Sequence, residues 1–365
     1  MTSNPLLHAK REELKRQLAA GQYQTLVDLV LERTGRLIQR LTRSPMPLPF
    51  WYSAVLIILV TLLISLFLKA LLPGERSLIS ALIVLPGAGL VLVAYLVYGV
   101  QSRSFFTALR NDILNSIESV ADLTDLQNWL TLVCSKKKAL LFALVIGIAA
   151  GFSAPILLPT SSIGEGIVDV GLMVISAILM TQMGMGFNYL LLFFALPSRL
   201  SQYQLKLYAA DPSSSEVIGH LSGLLMQFVY MWAMLVASIT LVSALLGSLI
   251  ASTISVVILT IANWGLLAVL FVIIQAALSK IIARAKWKTL NEIQSQIERL
   301  RSQEEIPSEK TLAHLSQLMD YHDRVKATRN SALDLRSGLS FINSLLLPLL
   351  AFLLANLGEI VTLFR

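Results

Sequence analysis

SKIIARAKWKTLNEIQSQIERLRSQEEIPSEKTLAHLSQLMDYHDRVKATRNSALDLRSG, residues 279–338, is a polar stretch set between two long apolar runs, 252–278 and 339–364. Its reading decides the fold. A charged segment bounded on both sides by runs of bilayer length must stand on one side of a membrane that its neighbours cross. In its first arm, Leu290, Ile293, Ile297 and Leu300 are spaced 3, 4 and 3 apart and share one helical stripe. Pro307 cannot continue that arm, and Ser308 is suited to cap the next. The second arm carries Leu312, Leu315, Met319, His322 and Val325 at spacings 3, 4, 3 and 3. Arms of similar length, roughly 35–45 Å at 1.5 Å per residue, predict an antiparallel helical hairpin with a short coiled-coil seam. Two heptads per seam would be marginal in isolation.

Outward from this stretch, composition sets the class. Hydrophobic residues make up 55% of the 365 and charged residues 14%, with a mean hydropathy of +0.71. Soluble domains carry about 25% charge. The apolar runs are continuous rather than alternating, which points to an all-α, polytopic helical membrane protein and away from a β-barrel. Cys134 stands alone and can form no internal disulfide. The first apolar run begins near Phe50, too far along for a secretory signal, and reads as a permanent span. Seven spans are expected: Phe50–Leu72, Leu78–Tyr98, Ala139–Leu158, Val168–Leu196, Leu221–Leu246, Ser252–Leu278 and Leu339–Phe364. Trp51, Tyr52, Tyr95, Tyr98 and Trp129 fall at or near their ends, where amphipathic rings collect.

Charge orients the chain. Of 29 lysines and arginines, 26 lie in alternate segments (1–49, 99–138, 197–220 and 279–338), leaving Lys69, Arg76 and Arg365 for the other side. That bias places the N-terminus and the hairpin in the cytoplasm and the C-terminus opposite.

The expected domains are then a basic N-terminal segment (1–49), a six-span region (50–278), the hairpin (279–338) and a seventh span (339–365). The N-terminal segment reads as a helix to Ala20 ended by Gly21, then a helix to Arg43 with Val27, Leu31, Leu37 and Leu41 on one stripe. That second helix suits either an anionic membrane surface or the protein's own hairpin. Ser44–Pro49 is a stiff linker. Short interfacial helices are expected at 101–138 and 198–220. Capping boxes are read at Thr124/Gln127 and Ser213/Glu216, and Leu200, Tyr203 and Leu207 share a face. Lys136–Lys138 mark a membrane boundary.

Chemistry is sparse. Ionisable residues inside spans are the strongest pointers to coupled transport, yet Lys69, Glu165, Asp169 and Glu359 all sit at span ends. Amides remain: Gln182, Asn188, Asn263 and Asn343 would line a polar path or join helices by hydrogen bonds. Pro86, Gly87 and Gly89 in the second span and Pro348 in the seventh are candidates for kinks or gating. Ala143, Gly147 and Gly151 form a small-residue ridge for close helix contact, within one chain or between copies. Ser153 lies at the other end of its span from any histidine, His314 and His322 lack a metal-ligand spacing, and no phosphate-binding loop is present. Basic residues of the hairpin lack the interleaved aromatics of a nucleic-acid groove.

The sequence thus predicts no cofactor, no metal and no nucleic acid. It predicts a non-enzymatic integral membrane protein whose partners are the lipid bilayer, a cytoplasmic protein reached through 284–336, and further copies of itself. A channel or uncoupled transporter is the alternative, and a membrane subunit of a multi-chain transport complex the next.

Overall fold

The computed structural model describes residues 5–43, 48–71, 84–157, 170–250, 253–303 and 309–330, which are helical almost throughout, with no β-strand among them. Two amphipathic helices come first, α1 (Pro5–Ala19) and α2 (Leu26–Thr42). The apolar α3 (Phe50–Leu71) and α4 (Val84–Ala108) follow, and α4 runs on through a π-helical turn at Leu109–Ile113 to Ser116. Then come α5 (Val120–Val133), α6 (Lys136–Leu157), α7 (Val170–Met185), α8 (Phe187–Leu200), α9 (Glu216–Ile250), α10 (Thr253–Gln303) and α11 (Glu309–Ala327).

Among the described residues, four helical segments are long and apolar enough to cross a membrane: Phe50–Leu68, Val84–Ser116, Glu216–Thr240 and Thr260–Ser302. Their outer faces are apolar too, with Leu63 and Phe67 on α3 and Val269 and Val272 on α10 exposed. Water penalises so large an apolar exterior, whereas lipid accommodates it. The chain is therefore all-helical and consistent with a membrane protein. The seventh expected span, with Asn343 and Pro348, lies outside the described residues.

α4 is the axis of the bundle. It packs on α2, α3, α7 and α9, and Ala88, Val91, Ala94 and Tyr95 are all buried. This central position overturns part of the expected aromatic belt. Tyr95, Tyr98 and Trp129 are core residues, and only Trp51 and Tyr52, stacked with centroids 3.7 Å apart, face outward.

The run expected as one span at Val168–Leu196 is instead two short helices, α7 and α8, meeting at Gly186. Gly186 is pressed onto the Tyr98 ring so closely that a Cβ would lie 2.5 Å from Cδ2. Its N–H closes the last turn of α7 on Met183 O at 3.1 Å.

α6 and α7 pack through missing side chains. A Cβ on Gly147 would strike the Thr181 side chain and stand 2.7 Å from Ala177 O; on Gly151 it would stand 3.0 Å from Met173 O. From the other side, Gly184 would meet Ala143 Cα at 3.0 Å.

At the polar end, a collar surrounds α4. α1 packs on α5, and α2 on α3 and α4, so these helices pair with the 84–133 segment rather than with the expected hairpin. Leu14, Val27 and Leu31 join one core with Leu123 and Leu126. Gly21, at φ +71°, ends α1, with Gly21 N and Gln22 N returning to Leu18 O and Gln17 O at 3.1 Å each. Two expected caps are displaced. Ser119, not Thr124, caps α5 by accepting from Asp122 N, and Thr124 donates to Val120 O inside the helix. Ser213 donates to Asp211 Oδ1 at 2.6 Å instead of capping α9. The expected helix face Leu200–Tyr203–Leu207 is broken as well. Beyond Leu200 the chain is irregular, and Lys206 N donates to Ser116 O at 2.7 Å. Main-chain bonding to the end of α4 outcompetes a further helical turn here.

α11 folds back along the far half of α10. Leu290, Ile293 and Ile297 bury against Val325, with Leu315, Leu318 and Tyr321 around them. Lys286 Nζ donates to Thr328 O at 2.7 Å and Asn330 Oδ1 at 3.1 Å, which fixes the antiparallel sense. Leu312 and Met319, expected in this seam, are exposed. The face used is turned by roughly 60° from the expected stripe, at 100° per residue, so Leu318 and Tyr321 replace them.

Candidate functional site

Where α2, α3 and the polar end of α4 meet, they enclose a cavity of about 540 Å³. Local sequence builds each wall. Thr25 caps α2 in a reciprocal box: its hydroxyl accepts from Asp28 N at 3.3 Å, and the Asp28 carboxylate accepts from Thr25 N and Oγ1 at 3.3 and 2.7 Å. The same carboxylate accepts from Ser102 Oγ on α4 at 2.6 Å, which pins α2 to the bundle. Gly35 lets α2 cross α3 closely, since a Cβ there would stand 3.0 Å from Ser53 Oγ. Gly99 does the same on α4, seating the Phe50 ring where a Cβ would lie 2.6 Å from Cδ2.

Onto that ring comes a charge. Arg103, one turn beyond Gly99, holds its guanidinium carbon 4.4 Å from the Phe50 centroid, a cation–π contact. Arg36 from α2 and Arg110 from the π-turn complete the basic rim. Arg36 is paired with Glu32 at 3.2 Å, and Glu32 also accepts from Gln24 at 2.8 Å. Asp28 is already engaged with Thr25 and Ser102. Among the described residues, Arg103 and Arg110 make no ion pair with a carboxylate.

The π-turn is part of this construction. A single-turn π segment inserts one residue and re-aims the side chains around it. Here Arg110 lines the cavity while Asp112 meets His220 Nδ1 on α9 at 3.0 Å. On the opposite flank, Tyr203 donates to Asp125 at 2.6 Å, and Arg199 lies 3.4 Å from the same carboxylate. Burial, reinforced by Asp125, pushes the Tyr203 phenol well above its ordinary range.

The residues singled out from sequence are dispersed. Gln182 reaches from α7 to α3, donating to Thr61 Oγ1 at 2.6 Å, while its Oε1 is buried without a partner. Asn188 begins α8 past the break, and Asn263 is half-buried on α10. Pro86 stands three residues into α4, and the carbonyl of Leu82 that it would free lies outside the described residues. Gly87 packs on α7, where a Cβ would lie 3.0 Å from Leu179 Cδ1, and Gly89 has open space around it. Ala143, Gly147 and Gly151 form the α6 side of the α6–α7 contact. Ser153 donates to Ala150 O at 3.1 Å. Among the described residues, no group of three or more histidines, cysteines and carboxylates is placed to hold a metal. Burial pushes the Cys134 thiol up to about 12, the reverse of what a nucleophile needs.

Sequence reasoning missed three features: the break at Gly186, the Phe50–Arg103 stack and the π-turn. The first left a signal, since Gly184-Met-Gly186 interrupts an apolar run two residues before Asn188. The other two depend on contacts between residues more than 50 apart or on a local underwinding with no compositional mark. Comparison of the chain with protein-family models, with curated proteins and with solved structures finds no match.

Proposed function

We propose that this is a non-enzymatic multi-pass membrane protein that acts through assembly with a protein partner on its cytoplasmic side. The observation that carries the reading is α10, one continuous helix of 51 residues. At 1.5 Å per residue it is roughly 75 Å long, so its apolar half and the half that pairs with α11 move as one rod. A rigid coupling of this kind suits a post that presents a contact face. That face includes Leu312 and Met319 on α11 and Trp287 on α10, all exposed. The lysine and arginine bias supports a cytoplasmic position for the N-terminal collar and for the α10–α11 hairpin.

Photo-crosslinking groups at positions 312 and 319, in native membranes, are the test. The reading expects discrete adducts from these positions and none from position 292 or 299 on the polar face of α10. Equal, diffuse labelling from all four would sink it.

A second reading, a channel or uncoupled transporter, draws support from the helix break at Gly186 and from the half-satisfied amides. Gln101 donates to Gln227 O at 3.2 Å and Gln275 to Met226 Sδ at 3.7 Å, yet each leaves a buried Oε1 without a partner, as Gln182 does. Flux of ions or small solutes through proteoliposomes, abolished by Gly186→Val, is the result that would favour it over assembly.

A further inference from the structure

We propose that the cavity between α2, α3 and α4 is a binding site for the phosphate headgroup of an anionic phospholipid, taken from the leaflet that surrounds the polar end of the bundle. Three independent observations converge on it. The first is charge. Arg103 and Arg110 are seven residues apart, nearly two full turns, and both line the cavity without a carboxylate partner among the described residues. The two acids in the wall are already committed, Asp28 to Thr25 and Ser102, and Glu32 to Arg36 and Gln24. Arg110 Nε donates to Asn111 Oδ1 at 3.3 Å, and two guanidiniums with no carboxylate partner among the described residues are a forked donor set for phosphate oxygens.

The second is depth. The floor is Phe50, the first residue of α3, and the next two residues are the outward-facing Trp51–Tyr52 stack. Amphipathic rings gather at headgroup level, so the cavity opens where lipid phosphates lie. Lys137 and Lys138 are exposed at the start of α6, a helix that packs on α2. Lysines at a helix N-terminus oppose the helix dipole, which makes a lipid surface the better reason for them.

The third is the apolar side of the opening. Leu37 and Leu41 are exposed on α2 beside Arg36 and Arg40, a pattern suited to acyl chains below and phosphates above. The fully buried side chains of α2 are Val27 and Leu31, and Gly35 meets Ser53 on α3, which leaves Leu37 and Leu41 to the outside. A soluble phosphate compound would use the arginines but gain nothing from Leu37, Leu41 or Leu48. Basic pockets between spanning helices are a recurrent way to hold anionic headgroups.

The full-length protein is purified in mild detergent from membranes containing phosphatidylglycerol, and retained lipid is counted by native mass spectrometry. One retained phosphatidylglycerol per chain is expected for the wild type. Arg103→Gln/Arg110→Gln should lower its occupancy at least tenfold, and Arg103→Lys/Arg110→Lys, which keeps charge but loses the fork, should fall between. Lys137→Gln/Lys138→Gln, which removes as much charge on a helix neighbouring α2, should leave occupancy unchanged. An unchanged melting temperature for the glutamine pair separates lost binding from lost folding; if it drops, the lysine pair decides alone. Equal retention in wild type and the arginine variants overturns the proposal, as does equal loss from both double glutamine variants, which would mean diffuse attraction. Displacement of the lipid by millimolar glycerol phosphate, with no phosphatidylglycerol preferred over phosphatidylcholine in nanodiscs, would also overturn it in favour of a soluble ligand.

Discussion

The contact between α6 and α7 and the contact between α10 and α11 solve the same problem with opposite materials. The first is made of Gly147, Gly151, Gly184 and Ala143, where backbones approach until a single methyl group has no room. The second is made of Leu290, Ile293, Ile297 and Val325, four branched side chains and a rim. Lipid and water favour different materials at a helix contact. In lipid, an exposed leucine gains little by burial, so helices associate through close dispersion contact between small residues. In water, removing apolar area is the driving force, at about 25 cal/mol per Å². The two interfaces are therefore of the kinds that lipid and water respectively favour.

The contrast predicts opposite responses to side-chain size. Gly147→Leu should be the most damaging single change, because the Thr181 hydroxyl is turned back onto Ala177 O at 2.7 Å and both groups face the glycine. Neither the backbone oxygen nor the bonded hydroxyl can retreat. A loss of at least about 3 kcal/mol is expected, read as a collapse of the thermal unfolding midpoint in detergent. Gly89→Ala, with nothing within 4 Å of the new methyl, should leave that midpoint unchanged or raise it slightly. If the two behaved alike, the α6–α7 contact would not depend on close approach.

At the other interface enlargement is not the danger; deletion is. Ile293→Ala removes a buried anchor of the α10–α11 seam and should cost about 2–4 kcal/mol locally. With so small a seam, that is enough to release α11. Hydrogen exchange should then rise through 309–327 while 136–157 and 170–185 stay protected. Loss of protection in both regions together would show one cooperative unit and erase the distinction between them.

Much of this contrast is legible in the sequence, and the reasons it is not wholly so are specific. The ridge Ala143-Gly147-Gly151 is visible because i, i+4 small residues have no other common use in an apolar run. The α10 stripe is visible because Leu290, Ile293 and Ile297 repeat on one face. The α11 stripe is ambiguous, since Leu312, Leu315, Leu318 and Met319 spread over a wide arc and only the partner selects which edge is buried. The collar is harder still. Ser119 and Thr124 are both sound caps by type, and the choice between them is made by the docking of α5 on α1, with Leu123 and Leu126 buried in the shared core. Arg103 could be counted as one basic residue among many, but nothing local says that Phe50, 53 positions earlier, lies under it.

Cys134 lies at the end of α5, two residues before α6. Its thiol, raised to about 12 chiefly by burial, leaves about one part in 10⁴ as thiolate at pH 8. Maleimide should therefore label the folded protein at least a hundredfold more slowly than a denatured sample, and the rate should climb only as pH approaches 12. Removing residues 1–43 uncovers the collar and should abolish that protection. Gly147→Leu tests the boundary from the other side. Fast labelling in that variant would mean that strain at α6–α7 travels into the collar.

The smallest effect separates structure from transport. Gln182→Leu deletes one interhelical hydrogen bond to Thr61, a type worth about 0.6 kcal/mol on average in membrane bundles. It also deletes a buried Oε1 that has no partner, which offsets part of that loss. The net change in stability should fall within about 0.5 kcal/mol of zero, measured as the unfolding midpoint in detergent. If Gln182 only ties α7 to α3, cellular activity should be as unaffected as stability. If instead its free oxygen faces a path through the bundle, flux should fall severalfold while the midpoint stays put. That combination would assign the bundle a transport role and leave the α10–α11 pair as its regulator, whereas indifference in both measurements leaves close packing as the whole purpose of the α3–α7 contact.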